Sequence, residues 1–204
     1  MKYSSKLLQD AVEAMSSLPS VGKKSALRMV LHLIKDDTEK VSAIINSLTD
    51  LDQHLKTCST CYNYSDEIVC NICKDPSRTK DTICVVESAR DVMAIEETEH
   101  FRGMYHVLGG VISPLEGVGQ EDLNIDSLIQ RLKENDVKEL IMALSPTVDG
   151  DTTVFYISKK LDLERVNIST IARGVSFGGE LEYADELTLG RSIISRIPYS
   201  LNLD

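Results

Sequence analysis

Four cysteines within sixteen residues constrain this chain more than any other feature. They form two Cys-x-x-Cys knuckles, Cys58-Ser-Thr-Cys61 and Cys70-Asn-Ile-Cys73, with eight residues between them. Knuckles this close can deliver four thiolates to one tetrahedral ion, and Zn²⁺ prefers that geometry. With sulfur in all four positions, no place is left for substrate or water, so a zinc held by Cys58, Cys61, Cys70 and Cys73 is structural. The spacing predicts one Zn²⁺ per chain. Two disulfides or four unrelated thiols are the alternatives that the residues leave open.

The chain has 204 residues, enough for one large domain or two small ones. Hydrophobic residues at 42% and charged residues at 26% are ordinary for a globular protein, so a packed core is expected. No apolar run approaches membrane-spanning length. Met1-Lys2-Tyr3-Ser4-Ser5-Lys6 leads into an amphipathic pattern, not a signal peptide. A soluble, cytoplasmic protein with no membrane partner is expected. A reducing compartment suits metal-bound thiolates. It also suits Cys84, which lies in the apolar run Ile83-Cys84-Val85-Val86 and reads as a buried core thiol. The net charge of −10 argues, taken globally, against nucleic-acid binding. Its distribution says otherwise. Residues 1–35 carry Lys2, Lys6, Lys23, Lys24, Arg28 and Lys35 against Asp10 and Glu13, a local charge of +4 that leaves −14 for the rest.

Hydrophobic period divides the chain in two. Residues 6–17 place Leu7, Leu8, Val12 and Met15 near a 3.6 period and predict a helix. Leu18-Pro19-Ser20-Val21-Gly22 is a turn, and a second helix is predicted from about Lys23 to Ile34. A third, from about Thr38 to Leu55, carries Val41, Ile44, Ile45, Leu48, Leu51 and Leu55 on one stripe, with Asp37 as its N-cap. After the cysteines, short apolar runs alternate with helical patterns. Strands are expected at Ile83–Val86, Tyr105–Leu108, Glu139–Leu144 and Asn167–Ala172. Helices are expected from Ser88 to about Glu97, at 124–134, at 152–161 and at about 185–195. That alternation implies βαβ units and a parallel sheet covered on both faces. Residues 172–185, Ala-Arg-Gly-Val-Ser-Phe-Gly-Gly-Glu-Leu-Glu-Tyr-Ala-Asp, read as a mobile surface loop ahead of the last helix.

The segment Leu18-Pro19-Ser20-Val21-Gly22-Lys23-Lys24-Ser25-Ala26 resembles the helix-hairpin-helix DNA-binding motif, with Ser20 where that motif usually has Gly. Its turn would aim the free backbone N–H groups at the start of the second helix toward a phosphate. Gly22 would permit close approach, and Lys23, Lys24 and Arg28 would add charge. Such contacts go to the nucleic-acid backbone and do not read sequence. An ordinary αα-hairpin with a solvated basic face is the plainer alternative. A phosphate-loop reading of Gly22-Lys23 fails, because Ser17 stands where the first Gly belongs and Lys24 where Ser or Thr belongs.

Carboxylates mark the strand ends. Glu87 closes the first apolar strand, Asp91 lies one helical turn later, and Asp149-Gly150-Asp151 follows the third strand. In a parallel sheet these loops share the edge where α/β ligand sites form. Such an oxygen-rich cluster suits weak Mg²⁺ binding. The pattern resembles the Toprim domain of topoisomerases, primases and some nucleases. There the Glu can serve acid–base chemistry while the Asp pair holds metal. Ser88 replaces the Gly usual after the Glu, and no nucleophilic Tyr accompanies the site. Solvated turn acids are the plainer alternative.

The order of parts resembles the bacterial RecR family of recombination proteins. Tyr105-His106-Val107-Leu108-Gly109-Gly110, Ser113-Pro114-Leu115, Pro146-Thr147-Val148-Asp149-Gly150-Asp151 and the stretch from Arg173-Gly174-Val175 to Asp185 carry the same resemblance. It covers nearly the whole chain. It implies an α/β protein with an N-terminal helical hairpin domain (1–56), a small zinc module (57–79) and a Toprim-type parallel-sheet domain (80–175). A C-terminal Gly-rich loop and helix (176–204) would follow. It further implies a non-enzymatic clamp in DNA repair that binds single-stranded, duplex or gapped DNA. The clamp would act with RecO, and in some routes RecF, to load RecA onto single-stranded DNA at gaps, in the nucleoid. A homo-oligomeric ring, dimer or tetramer, is implied, with Glu87, Asp91, Asp149 and Asp151 serving partner contact. A Walker-B-like segment would fall near Val166–Ala172; without a phosphate loop it implies no ATPase. The competing functions are a Mg²⁺-dependent Toprim nuclease or related phosphoryl-transfer enzyme, and a zinc-ribbon adaptor that does not touch DNA.

Overall fold

The computed structural model describes residues 3–35, 38–161, 165–175, 178 and 180–198. The chain forms two compact units, residues 1–55 and 56–204. The expected N-cap Asp37, and Ser176, Phe177 and Gly179 of the glycine-rich segment, lie outside the described residues.

The first unit is helical. Ser5 caps α1 (Lys6–Ser16) by accepting from the Leu8 N–H. α2 spans Lys23–Lys35 and α3 spans Thr38–His54. Val12 of α1 meets Ala26 and Val30 of α2, with Leu8, Ala11, Met15 and Leu27 around them. Ala26 is fully buried, and its small side chain lets the two helices approach closely. The apolar stripe of α3 forms as its period predicts, but none of its described side chains is buried. Ile45, Leu48 and Leu51 are more than half exposed.

The second unit begins with the hairpin β1 (Lys56–Thr57) and β2 (Tyr64–Ser65), which pair antiparallel. A one-turn helix, α4 (Asn71–Lys74), follows. Four parallel strands then form one sheet: β3 (Thr82–Val86), β4 (Met104–Val107), β5 (Glu139–Ala143) and β6 (Asn167–Thr170), in spatial order β4-β3-β5-β6. Ile83 stands opposite Met104 on one side and Leu140 on the other. The helices are α5 (Ala89–Glu97), α6 (Ile125–Glu134), α7 (Val148–Lys160) and α8 (Glu186–Ile194).

Strand period assigns each residue its face. Ile83 and Val85 of β3 join Leu140, Met142, Ile125, Leu128, Leu132 and Ile157 in the larger core. Cys84 and Val86 point the other way, to Val92, Tyr105 and Val107. Each fully buried aliphatic side chain contributes about 1.5–3 kcal/mol. β4 is buried throughout and β3 from Ile83 to Val86, but the residues of β6 are all half-buried or exposed. α7 starts earlier than the expected 152–161. The Thr147 side chain accepts from the Gly150 N–H and caps the helix there, so Asp149 and Asp151 sit in its first turn and not in a loop.

Candidate metal centre and nucleic-acid interface

β1 delivers the first knuckle and α4 carries the second. The sulfurs of Cys58, Cys61, Cys70 and Cys73 all lie within 4.8 Å of one another. Cys61 Sγ and Cys70 Sγ are 3.5 Å apart, far beyond a disulfide bond, and all five cysteines are free. Four thiolates around one Zn²⁺ at about 2.3 Å would stand about 3.8 Å from each other, so the residues fit such an ion. Backbone N–H groups favour thiolates here: Cys70 N–H donates to Cys58 Sγ and Cys73 N–H donates to Cys70 Sγ. Crowding spreads the thiols. Hydrogen bonds from Cys61 and Cys73 draw Cys70 down to about 2, while the same contacts with Cys61 and Cys70 push Cys73 far up. Four thiolates this close would need a cation among them. Among the described residues this is the one group of three or more His, Cys, Asp or Glu side chains poised to hold a metal ion.

The module covers the outer edge of β4. Val107 N–H donates to the Cys61 carbonyl at 2.8 Å. The Arg131 guanidinium donates to the carbonyls of Tyr105 (2.7 Å) and Thr60 (3.3 Å). Tyr62 meets His106 edge to face, with ring centroids 5.4 Å apart. His106 Nε2–H donates to the Asn124 carbonyl, and its buried Nδ1 has no hydrogen-bond partner among the described residues. Burial, with the nearby Arg131 charge adding to it, lowers His106 to about 4 against the pull of the Asn124 carbonyl, so the ring is neutral at pH 7. Arg78 fastens the module's far end. Its buried guanidinium pairs with Glu96 of α5 and donates to the Gly103 carbonyl, and Tyr105 O–H donates to the same carboxylate.

In the helical unit, the turn between α1 and α2 is closed by Val21 N–H donating to the Leu18 carbonyl at 3.1 Å. The left-handed conformation falls on Ser20 (φ 66°) and not on Gly22. Nothing lies within 4 Å of where a Gly22 side chain would begin. The chain's own packing therefore does not require glycine at that position. Ala26 N–H takes the Gly22 carbonyl at 2.9 Å, which leaves the N–H groups of Lys23, Lys24 and Ser25 ahead of the first intrahelical bond. Lys23, Lys24 and Arg28 are exposed, with no ion-pair partner among the described residues.

The four acids do not gather into a metal cage. Glu87 Oε1 accepts from Ser145 N–H at 2.5 Å and ties the end of β3 to the end of β5. The chain runs outward from β3 to β4 and then crosses back to β5, so Glu87 marks the point where strand order reverses. Asp91 accepts from the Ser88 N–H and hydroxyl at 2.7 and 3.0 Å. Ser88 is extended (φ −144°), so no glycine conformation is needed there. Asp151 pairs with Arg173 through two hydrogen bonds of 2.5 and 3.3 Å. That bond, with Arg191 nearby, holds its carboxyl below the usual range. Of these four, Asp149 alone keeps a carboxylate without an intrachain partner among the described residues. Gly150 lies between these acids because a Cβ there would stand 2.0 Å from the Ser145 carbonyl oxygen.

Sequence reasoning overlooked the arginines. Arg173 follows β6 at the edge where ligand sites form, and that position was a readable signal. Arg191 reaches the same place from α8 only through the fold, and Arg78 lies eighteen residues from Glu96.

Family models match along the whole order of parts. A RecR helix-hairpin-helix model covers residues 8–51, and a model of the RecR four-cysteine zinc finger domain covers 55–75. A Toprim domain model covers 81–172 and a RecR C-terminal model covers 174–197. The chain is 56% identical over 195 residues to the recombination protein RecR of Phocaeicola vulgatus, covering 96% of this chain and 95% of the relative. The RecR of Bacteroides thetaiotaomicron is 55% identical over the same shares. The RecR of Cytophaga hutchinsonii is 50% identical over the full length of both chains. Fold, order of parts and identity over nearly the whole length agree, and the chain belongs to the RecR family of recombination proteins.

Proposed function

We propose that this chain is a non-enzymatic DNA-binding clamp of recombinational repair, working in the cytoplasm with RecO, and in some routes RecF, to load RecA onto single-stranded DNA at gaps. The carrying observation is the open approach at Gly22, beside unspent N–H groups and the exposed Lys23, Lys24 and Arg28. A helix N-terminus with adjacent cations is an anion site, and here the glycine has no internal reason. The four cysteines hold one structural Zn²⁺, which closes the module without supplying chemistry to a substrate.

Glu87, Asp91, Asp149 and Asp151 offer a basic face of RecO a field to dock on. The apolar side of the helical unit supports self-association into a ring. A cavity of about 920 Å³ there is lined by Leu7, Met15, Leu31, Ile34, Ile44 and Leu48 among others. A patch of that kind marks a protein interface.

Purified protein incubated with labelled gapped DNA and Mg²⁺ tests the reading. Binding without cleavage is expected. Mg²⁺-dependent strand breaks abolished by Glu87→Gln would make it a nuclease. Absence of binding at low salt would make it an adaptor.

A further inference from the structure

We infer that the cavity at the carboxyl ends of β5 and β6 binds a phosphate monoester carried on an apolar or aromatic body, held by Arg173 and Arg191. The cavity has a volume of about 350 Å³. That lies at the lower end of the roughly 300–1,000 Å³ of small-molecule sites, the scale of one mononucleotide. Met142, Leu144, Ile171 and Leu187 line one part of it, and the two arginines line another. The ligand therefore needs an anionic end and an apolar body.

Phosphate fits this pair better than carboxylate. A guanidinium carries five N–H donors. Asp151 spends two of those of Arg173 and fixes its orientation, which leaves three. Arg191 has no hydrogen bond or ion pair from its side chain among the described residues. One carboxylate between two arginines leaves a net positive charge in the cavity. A second carboxylate would satisfy one fork, whereas a phosphate monoester offers three terminal oxygens to two forks. The cavity lies on the side of the sheet where open α/β sheets bind ligands, beyond the carboxyl ends of the strands and one strand away from the reversal at Glu87. This site is independent of the hairpin and would stand whether or not the hairpin binds DNA.

Titration calorimetry of the full chain with AMP, inorganic phosphate and adenosine reads the site, with circular dichroism as a check on folding. Saturable AMP binding near one per chain is expected. Arg191→Gln should weaken it at least about tenfold, the value of one lost charge-assisted bond. Adenosine should bind far more weakly. Arg191 is exposed, so its replacement leaves the core intact. A second arm compares 5′-phosphorylated and 5′-hydroxyl oligonucleotides in a chain with Lys23, Lys24 and Arg28 replaced by Ala. An advantage for the phosphorylated strand that Arg191→Gln removes assigns the same chemistry to a DNA end. Equal affinity for AMP and adenosine, or saturable binding of neither nucleotide nor phosphorylated strand, overturns the proposal. So does binding that Arg191→Gln leaves unchanged.

Discussion

At position 150 a hydrogen stands where a methyl group would meet the Ser145 carbonyl oxygen at 2.0 Å. Gly150→Ala should therefore shift the start of α7 and cost about 1–3 kcal/mol, as overpacking does. Denaturant unfolding checks it, and an unchanged midpoint would contradict the packing account. His106 supplies a pH dependence. Burial lowers it from 6.5 to about 4, so the unfolded chain binds the proton more readily than the folded one. Its contribution is full above pH 6.5 and is lost as pH falls from there toward 4. The total is on the order of 3 kcal/mol at 1.36 kcal/mol per pKa unit. Unfolding free energies of wild type and His106→Gln between pH 7 and 4 should converge as pH falls; parallel curves would reject the assignment. At this scale much of the chemistry was legible. The cysteine spacing announced a cluster that the fold does bring together. The acids were legible as residues but not as partners, because Ser145 and Arg173 reach them only through the fold.

Among elements, the alternation of apolar runs and helical patterns was enough to read the parallel sheet. The start of α7 was not. Gly150 looks like a breaker in a sequence, yet it lies within the first turn because the helix must pass close to Ser145. The stripe on α3 was visible by period, but a period names a face and not what covers it. A zinc held by the four cysteines would make the stability of this module depend on its ion. Metal analysis should find about one zinc per chain. Chelation should uncover the β4 edge and lower the thermal midpoint, with residues 56–75 losing amide protection first. A metal-free chain with unchanged protection there would contradict the structural role.

As a whole, the molecule sets a basic island on an acidic chain of net charge −10. A few cations in one subunit bind DNA weakly, and salt removes such binding quickly. Repeated around a ring, the same contacts become intramolecular and gain on the order of 10²–10⁴ in avidity. Burying the apolar side of the helical unit against another copy would supply that ring. Replacing Ile45 and Leu48 with Asp should lower the sedimenting mass and weaken DNA binding together. A mutant of unchanged mass would place the subunit contact elsewhere. The most direct test of the hairpin as the DNA interface is a salt titration of gapped-DNA affinity. Wild type is compared with the chain in which Lys23, Lys24 and Arg28 are Ala, with sedimentation confirming equal oligomer size. The intact mutant assembly should lose binding, and its residual affinity should hardly vary with salt, since each lost phosphate contact removes about 0.9 from the log–log slope. A mutant assembly of equal size that binds as tightly, with the slope of wild type, would show that the hairpin is not where DNA is held.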